Sequence, residues 1–153
     1  MHYQRNFQPL SRKEYAAYER YLTREFNPTN LITFNFNQPG KWTLTTTAKK
    51  LDEFSGLIDA WLKNKNQRTE FIAIPEHISS NLHYHAMVRT PDPIRFSKLA
   101  PKLWKNEVVA SGDIFEKPDP VTPKYVLEFG RYMLKEYWKG TPTDTYYISN
   151  GGK

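Results

Sequence analysis

From Leu82 to Val88 the chain alternates one for one: Leu82, Tyr84, Ala86 and Val88 take every second position, with His83, His85 and Met87 between them. A β-strand sends successive side chains to opposite faces. This stretch therefore reads as a strand with one unbroken apolar face for a core, and two imidazoles side by side on the other. Three of the chain's four histidines, His77, His83 and His85, fall within nine residues, and Glu76 stands just upstream, after the apolar run Phe71 to Ile74. An ordinary polar strand face would account for a single histidine. A His-x-His pair with a carboxylate beside it favours a divalent metal, for which imidazole is a good ligand.

The neighbouring segments supply partners for such a strand. Leu31 to Asn37 alternates in the same way, with Ile32, Phe34 and Phe36 facing a core and Thr33 and Asn35 sharing the other side with Leu31, until Gln38-Pro39-Gly40 breaks it. Phe71 to Ile74 reads as a short buried strand ended by Pro75, from which the chain returns antiparallel into the histidine strand. A further strand is expected near Asp113 to Lys117, and a last one at Tyr146-Tyr147-Ile148.

Helical spacing fills the intervals. Ser11-Arg12-Lys13-Glu14 has the capping-box pattern ahead of Tyr15, Tyr18, Leu22 and Phe26, with Asn27-Pro28 as the stop. Leu51, Phe54, Leu57, Ile58, Trp61 and Leu62 form an amphipathic stripe after a Thr-rich start. Ile94 to Glu107 is predicted helical, with Pro101 either in a first turn or kinking it. Thr122-Pro123 begins a last helix that runs to about Lys139, where Gly140 and Pro142 stop it. The order predicts a single α+β domain over residues 1–153, with residues 141–153 expected as a flexible tail.

Composition narrows the chemistry. The formal charge of +6 argues for an anionic partner, most simply nucleic acid, and ten Tyr, nine Phe and four Trp offer rings on which bases can stack. The absence of cysteine excludes disulfides, thiolate catalysis and any cysteine-based zinc site. No apolar run approaches the roughly 20 residues of a membrane span, and the N-terminus lacks the apolar centre of a secretory signal. An intracellular protein is expected.

On the last helix, Val126, Phe129, Met133 and Tyr137 make one stripe, while Tyr125, Glu128, Tyr132, Lys135 and Lys139 fall on another, roughly opposite. Tyr132 and Lys135 are neighbours there, and a cation close to a phenol stabilises its phenolate. Tyr-x-x-Lys is common by chance and gains weight only from its place after the other segments.

The order of a polar-faced apolar strand (Leu31-Ile32-Thr33-Phe34-Asn35-Phe36), then Glu76 and His83-Tyr84-His85, then a helix bearing Tyr132-Met133-Leu134-Lys135 resembles the HUH endonucleases. Within them it is similar to the single-tyrosine Rep proteins of rolling-circle replication. Each motif is short, and together they span residues 31 to 135. The resemblance implies a ferredoxin-like, split βαβ antiparallel sheet of about five strands with flanking helices. It would make His83 and His85 metal ligands with Glu76 as the third, His77 being the competitor, and Mn²⁺ or Mg²⁺ the cofactor. Tyr132 would be the nucleophile and Lys135 its electrostatic partner, nicking single-stranded DNA at an origin or hairpin through a covalent 5′-phosphotyrosine.

Tyr84 is bulkier than the aliphatic residues often found between the two histidines of that family. Asn35 and Asn37 match the first motif loosely and receive no catalytic role. A related single-strand transposase is the nearest rival, although its tyrosine is usually followed by glutamine; a non-catalytic single-stranded nucleic-acid-binding module is the rival from another class. No Gly-x-x-x-x-Gly-Lys-[Ser/Thr] phosphate loop is present, so the chain carries no helicase motor. The resemblance places the protein in a prokaryotic cytoplasm, or in the nucleus of a eukaryotic host.

Overall fold

The computed structural model describes residues 12–63, 67–77, 80–116, 123–134 and 147–149. Helix α1 (Arg12–Arg20) continues into a wider π-helical turn, Tyr21–Glu25, and leads to strand β1 (Asn30–Asn35). Helix α2 (Leu44–Leu62) crosses to β2 (Glu70–Glu76), which turns back into β3 (His83–Arg89). Helix α3 (Pro93–Leu103), extended by a π-helical turn at Trp104–Val108, precedes β4 (Asp113–Glu116), helix α4 (Pro123–Met133) and the short β5 (Tyr147–Ile148).

The strands form one sheet in the order β4-β1-β3-β2-β5, and every adjacent pair is antiparallel. A β-α-β-β-α-β chain path laid out as 4-1-3-2 is the ferredoxin-like, split βαβ arrangement. Here β5 extends it beyond β2. The predicted α+β class, strand count and topology all hold.

Both sheet faces are covered. On one, Ile32 and Phe34 of β1, Phe36 just after it, and Tyr84, Ala86 and Val88 of β3 pack with Leu51, Phe54 and Ile58 of α2 and with Phe96 and Trp104. Phe34 lies at the centre of an aromatic group, 4.7 Å from Trp104 and 5.2 Å from Phe54 between ring centroids. On the other face, Leu31, Ile72, Ile74 and Met87 meet Leu22 and Phe26 below α1 and Val126, Phe129 and Met133 of α4. The histidine face therefore lies beneath a helix, and burial there removes water from any charge it carries.

Several local expectations are corrected. Pro75 does not end β2: it lies inside the strand, opposite Tyr84, and Glu76 is the strand's last residue, opposite His83. The Thr-rich stretch is itself the beginning of α2, where Thr43 caps the helix by accepting from Thr46 N–H while the Thr46 hydroxyl accepts from Thr43 N–H. Trp61, assigned to the apolar stripe, is half exposed at the end of that helix. Pro101 sits neither in a first turn nor at a break but in the last turn of α3, after which hydrogen bonding widens to the π pattern. Tyr84 spans the core and its hydroxyl bonds to Thr47 of α2 at 2.7 Å, which accounts for a tyrosine between the two histidines. Residues 135–146, including Lys135 and the end predicted for the last helix, lie outside the described residues, as do Ser11 and Thr122.

One glycine fixes the end of β1. A Cβ at Gly112 would stand 2.8–2.9 Å from Val109 Cγ1, Asn35 O and Trp104 Nε1, where Trp104 Nε1–H donates to Asn35 O at 2.9 Å. Backbone and a buried indole cannot give way cheaply. Gly112→Ala is expected to cost about 1–3 kcal/mol, the usual scale of overpacking. Thermal unfolding should show it as a melting temperature lower by roughly 2–12 °C.

Candidate functional site

Strand register builds the site. Directly opposed residues in an antiparallel sheet share a face, and two successive rows on the α4 side run across four strands. The first is Asp113–Asn35–His83–Glu76, and the second is Phe115–Thr33–His85–Ile74. Glu76 and His83 are thus direct cross-strand neighbours, while His85 lies two residues further along β3. The alternation that gave His83 and His85 a common face is confirmed. The placement of Glu76 beside them follows from the β2–β3 pairing.

Glu76 is 3% exposed, and its Oε1 lies 2.7 Å from His83 Nε2 and 2.8 Å from His85 Nε2. The ligand atoms of the three residues all fall within 4.8 Å of one another. The far side of each ring is also held. His83 Nδ1–H donates to Asn81 O at 2.8 Å, and His85 Nδ1 lies 3.0 Å from the Thr33 hydroxyl. A carbonyl only accepts, so the His83 proton is fixed on Nδ1, leaving Nε2 aimed at an acceptor-only carboxylate oxygen. Two imidazole nitrogens and a carboxylate oxygen thus converge on one point, an arrangement that a cation can occupy.

The donor set fits a divalent metal. Two imidazole nitrogens and one carboxylate oxygen leave further coordination positions for oxygen ligands, and imidazole suits Mn²⁺ better than Mg²⁺. Ligating atoms at right angles around such an ion stand about 3 Å apart, from metal–oxygen distances of about 2.1 Å, so small adjustments would admit one. His77, the competing third ligand, lies on the rim: its Nε2 is 3.9 Å from Glu76 Oε2, its side chain is 58% exposed, and its backbone is left-handed. Glu76 is the residue whose oxygen lies against both Nε2 atoms.

Thr33 was not singled out as a site residue, although alternation had put it on the correct face of β1. If Glu76, His83 and His85 hold Mn²⁺ and the Thr33 hydroxyl sets the His85 ring, Thr33→Val should weaken Mn²⁺ binding about 10–100-fold, the usual effect of removing an outer partner of a histidine ligand. A calorimetric Mn²⁺ titration would read it, and unchanged affinity would limit Thr33 to packing.

Helix α4 brings Tyr132 over this sheet face. Val126, Phe129 and Met133 are buried as predicted, but the Tyr125, Glu128 and Tyr132 stripe is not turned fully away. The Tyr132 ring stands edge-on to His85, 4.8 Å between centroids, with the tyrosine still 47% exposed. Gly130 permits the approach, since a Cβ there would lie 3.1 Å from Thr23 Cγ2 and 3.3 Å from Met87 Cε. A cleft of about 420 Å³ opens beside the pair, walled by Thr33, His85, Phe115, Tyr125, Glu128 and Tyr132.

Other tyrosines have structural duties. Burial raises the phenol pKa of Tyr84. Tyr147 stacks on Phe71 and donates to Asp52 Oδ1 at 2.5 Å, tying β5 to α2. Burial first, then the bond to Asp52 and its charge, push that phenol far above the ordinary tyrosine range. Both rings stay protonated at neutral pH, and both lie away from the open cleft that Tyr125 and Tyr132 line.

Among the described residues no helix is long and apolar enough to cross a membrane. No protein-family model matches the chain, and no curated protein matches it. Among solved structures it is similar to the hypothetical protein ORF119 from Sulfolobus islandicus rod-shaped virus 1, at 22% identity and a TM-score of 0.48, over 87% of this chain and 95% of that one.

Proposed function

We propose that this chain is a metal-dependent endonuclease that nicks and rejoins single-stranded DNA through Tyr132, as the HUH endonucleases of rolling-circle replication do. The observation that carries the reading is the contact of Tyr132 with His85, one member of the Glu76–His83–His85 group, at one open cleft. Glu76, His83 and His85 would hold Mn²⁺ or Mg²⁺. Such an ion, when bound, supplies Lewis-acid stabilisation of charge on a phosphate.

The residues of the chain divide the remaining work. Tyr132 Oη attacks the phosphorus and the bond to the 3′-oxygen breaks, leaving a 5′-phosphotyrosine and a free 3′-hydroxyl. The phenol proton is lost to solvent and the departing oxygen takes one up, so one phosphate ester replaces another. Because the ester is conserved, a 3′-hydroxyl can reverse the step and join strands. Phe129, packed edge-on to His85 at 6.0 Å, and the buried strands keep the ligand side of the cleft dry. Lys135, three residues beyond Tyr132, would offset charge during transfer. The net charge of +6 favours the polyanion, and the compartment would be a prokaryotic cytoplasm or a eukaryotic nucleus.

The test is incubation with a random pool of single-stranded oligonucleotides and Mn²⁺, resolved on a denaturing gel with and without EDTA. A slower protein band that requires metal and disappears on nuclease digestion is expected. Absence of any adduct across the pool, with Mn²⁺ and with Mg²⁺, would defeat the proposal, and metal-independent DNA binding in that case would identify a binding module.

A further inference from the structure

We infer that the cleft beside Tyr132 is a base-binding site, in which Phe115 and Tyr125 hold the nucleobase flanking the scissile phosphate and Glu128 reads its edge. The inference rests on the nicking reading for the identity of its ligand. Phe115 occupies the same cross-strand row as Thr33 and His85, so its ring stands on the α4 face of the sheet, one strand beyond Thr33 and two from His85. Tyr125 reaches the cleft from α4, seven residues before Tyr132 and on the same helix stripe. Both rings line one space with Tyr132 and His85.

The exposure of Phe115 is unusual for a phenylalanine of this fold. Phe115 is 59% and Tyr125 42% exposed, whereas every other phenylalanine among the residues with described side chains is buried. A phenylalanine left open in this way retains a full π-face for a planar ligand. The cleft holds about 420 Å³, enough for a nucleotide-sized group, and its lining is mostly ring and aliphatic surface with few polar groups. Those polar groups are the Thr33, Tyr125 and Tyr132 hydroxyls, the His85 imidazole and the Glu128 carboxylate, the one carboxylate of the lining. A carboxylate repels phosphate and accepts from exocyclic amino groups, as in carboxylate readout of cytosine N4. This cleft therefore suits a base, with the phosphate lying on the Tyr132 and His85 side.

Fluorescence anisotropy with labelled dA8, dC8 and dT8 tests this on the Tyr132→Phe protein in EDTA, where neither cleavage nor metal contributes. Phe115→Ala and Tyr125→Ala should each weaken binding about 5- to 100-fold, the scale of losing one stacked base, while the slope of log affinity on log salt stays unchanged because no phosphate contact is lost. Tyr125→Phe, which keeps the ring, should bind like its parent. Glu128→Gln should narrow the preference for dC8 over dT8. Parent-like binding by both alanine variants, or a matching loss in Tyr125→Phe, overturns the base site, as does failure of the parent to bind any of the three oligomers at low salt. Unaltered binding in these alanine variants, together with adduct formation by the wild-type protein, would leave nicking standing and remove the base site. Ring-dependent binding without any adduct from the wild-type protein would do the reverse.

Discussion

Tyr132→Phe is expected to form no covalent adduct with single-stranded DNA under any metal condition, a loss of about 10⁴-fold or more, the scale of deleting a catalytic nucleophile. The fold should be untouched. Tyr132 is half exposed and its ring makes an edge contact with His85 that phenylalanine can repeat. Binding of oligonucleotides in EDTA should therefore match the wild type, and only the chemical step should vanish. Denaturing gels and anisotropy on the same preparations would separate the two. An adduct that persists would move the nucleophile to Tyr125, which shares the cleft.

His85→Ala should abolish cleavage by a different route, through loss of the metal. Removing one of two imidazoles is expected to weaken Mn²⁺ binding by about 100-fold or more, beyond the effect of losing an outer partner. It also leaves the buried Glu76 with one fewer imidazole at Oε1, and a buried carboxylate stripped of a partner is costly. Mn²⁺ titration by calorimetry would read the affinity, and raising Mn²⁺ to millimolar levels should restore part of the adduct yield. Full activity at micromolar Mn²⁺ would remove His85 from the ligand set. Acid should mimic the substitution: ligands must shed protons to bind metal, so affinity falls as pH drops.

The two halves of the site were legible to different degrees. His83 and His85 announced themselves because a two-residue period leaves no choice of face, and the same arithmetic set Ile32, Phe34 and Phe36 apart from Leu31 and Thr33. Glu76 was named from proximity in sequence, but its contact with both imidazoles depends on β2 running through Pro75 to pair Glu76 with His83. Proline reads as a stop in sequence, yet β2 runs one residue past it, to Glu76. Thr33 and Phe115 became site residues only through the β1–β3 and β1–β4 registers, and register is a tertiary property that one strand's pattern cannot supply. Tyr132 was placed on the less buried side of its helix, correctly, but a helical wheel does not say which neighbour lies at its margin. Gly130, which lets α4 settle against Met87 and Thr23, is silent in a pattern read for apolar spacing.

That arrangement divides the chemistry between two separable lengths of polypeptide. Every candidate ligand lies between Asn30 and Glu116, and the candidate nucleophile begins its own helix at Pro123. Severing the chain between Glu116 and Pro123 would leave the complete ligand set on one piece and Tyr132 on the other. Each fragment alone would be inert, one able to capture an ion and the other unable to find a phosphate. Co-expressed, they would regain activity only as the helix redocked on the sheet. If the chain nicks DNA as proposed, the divided protein could be reconstituted on demand, with its cutting made conditional on whatever brings the two fragments together.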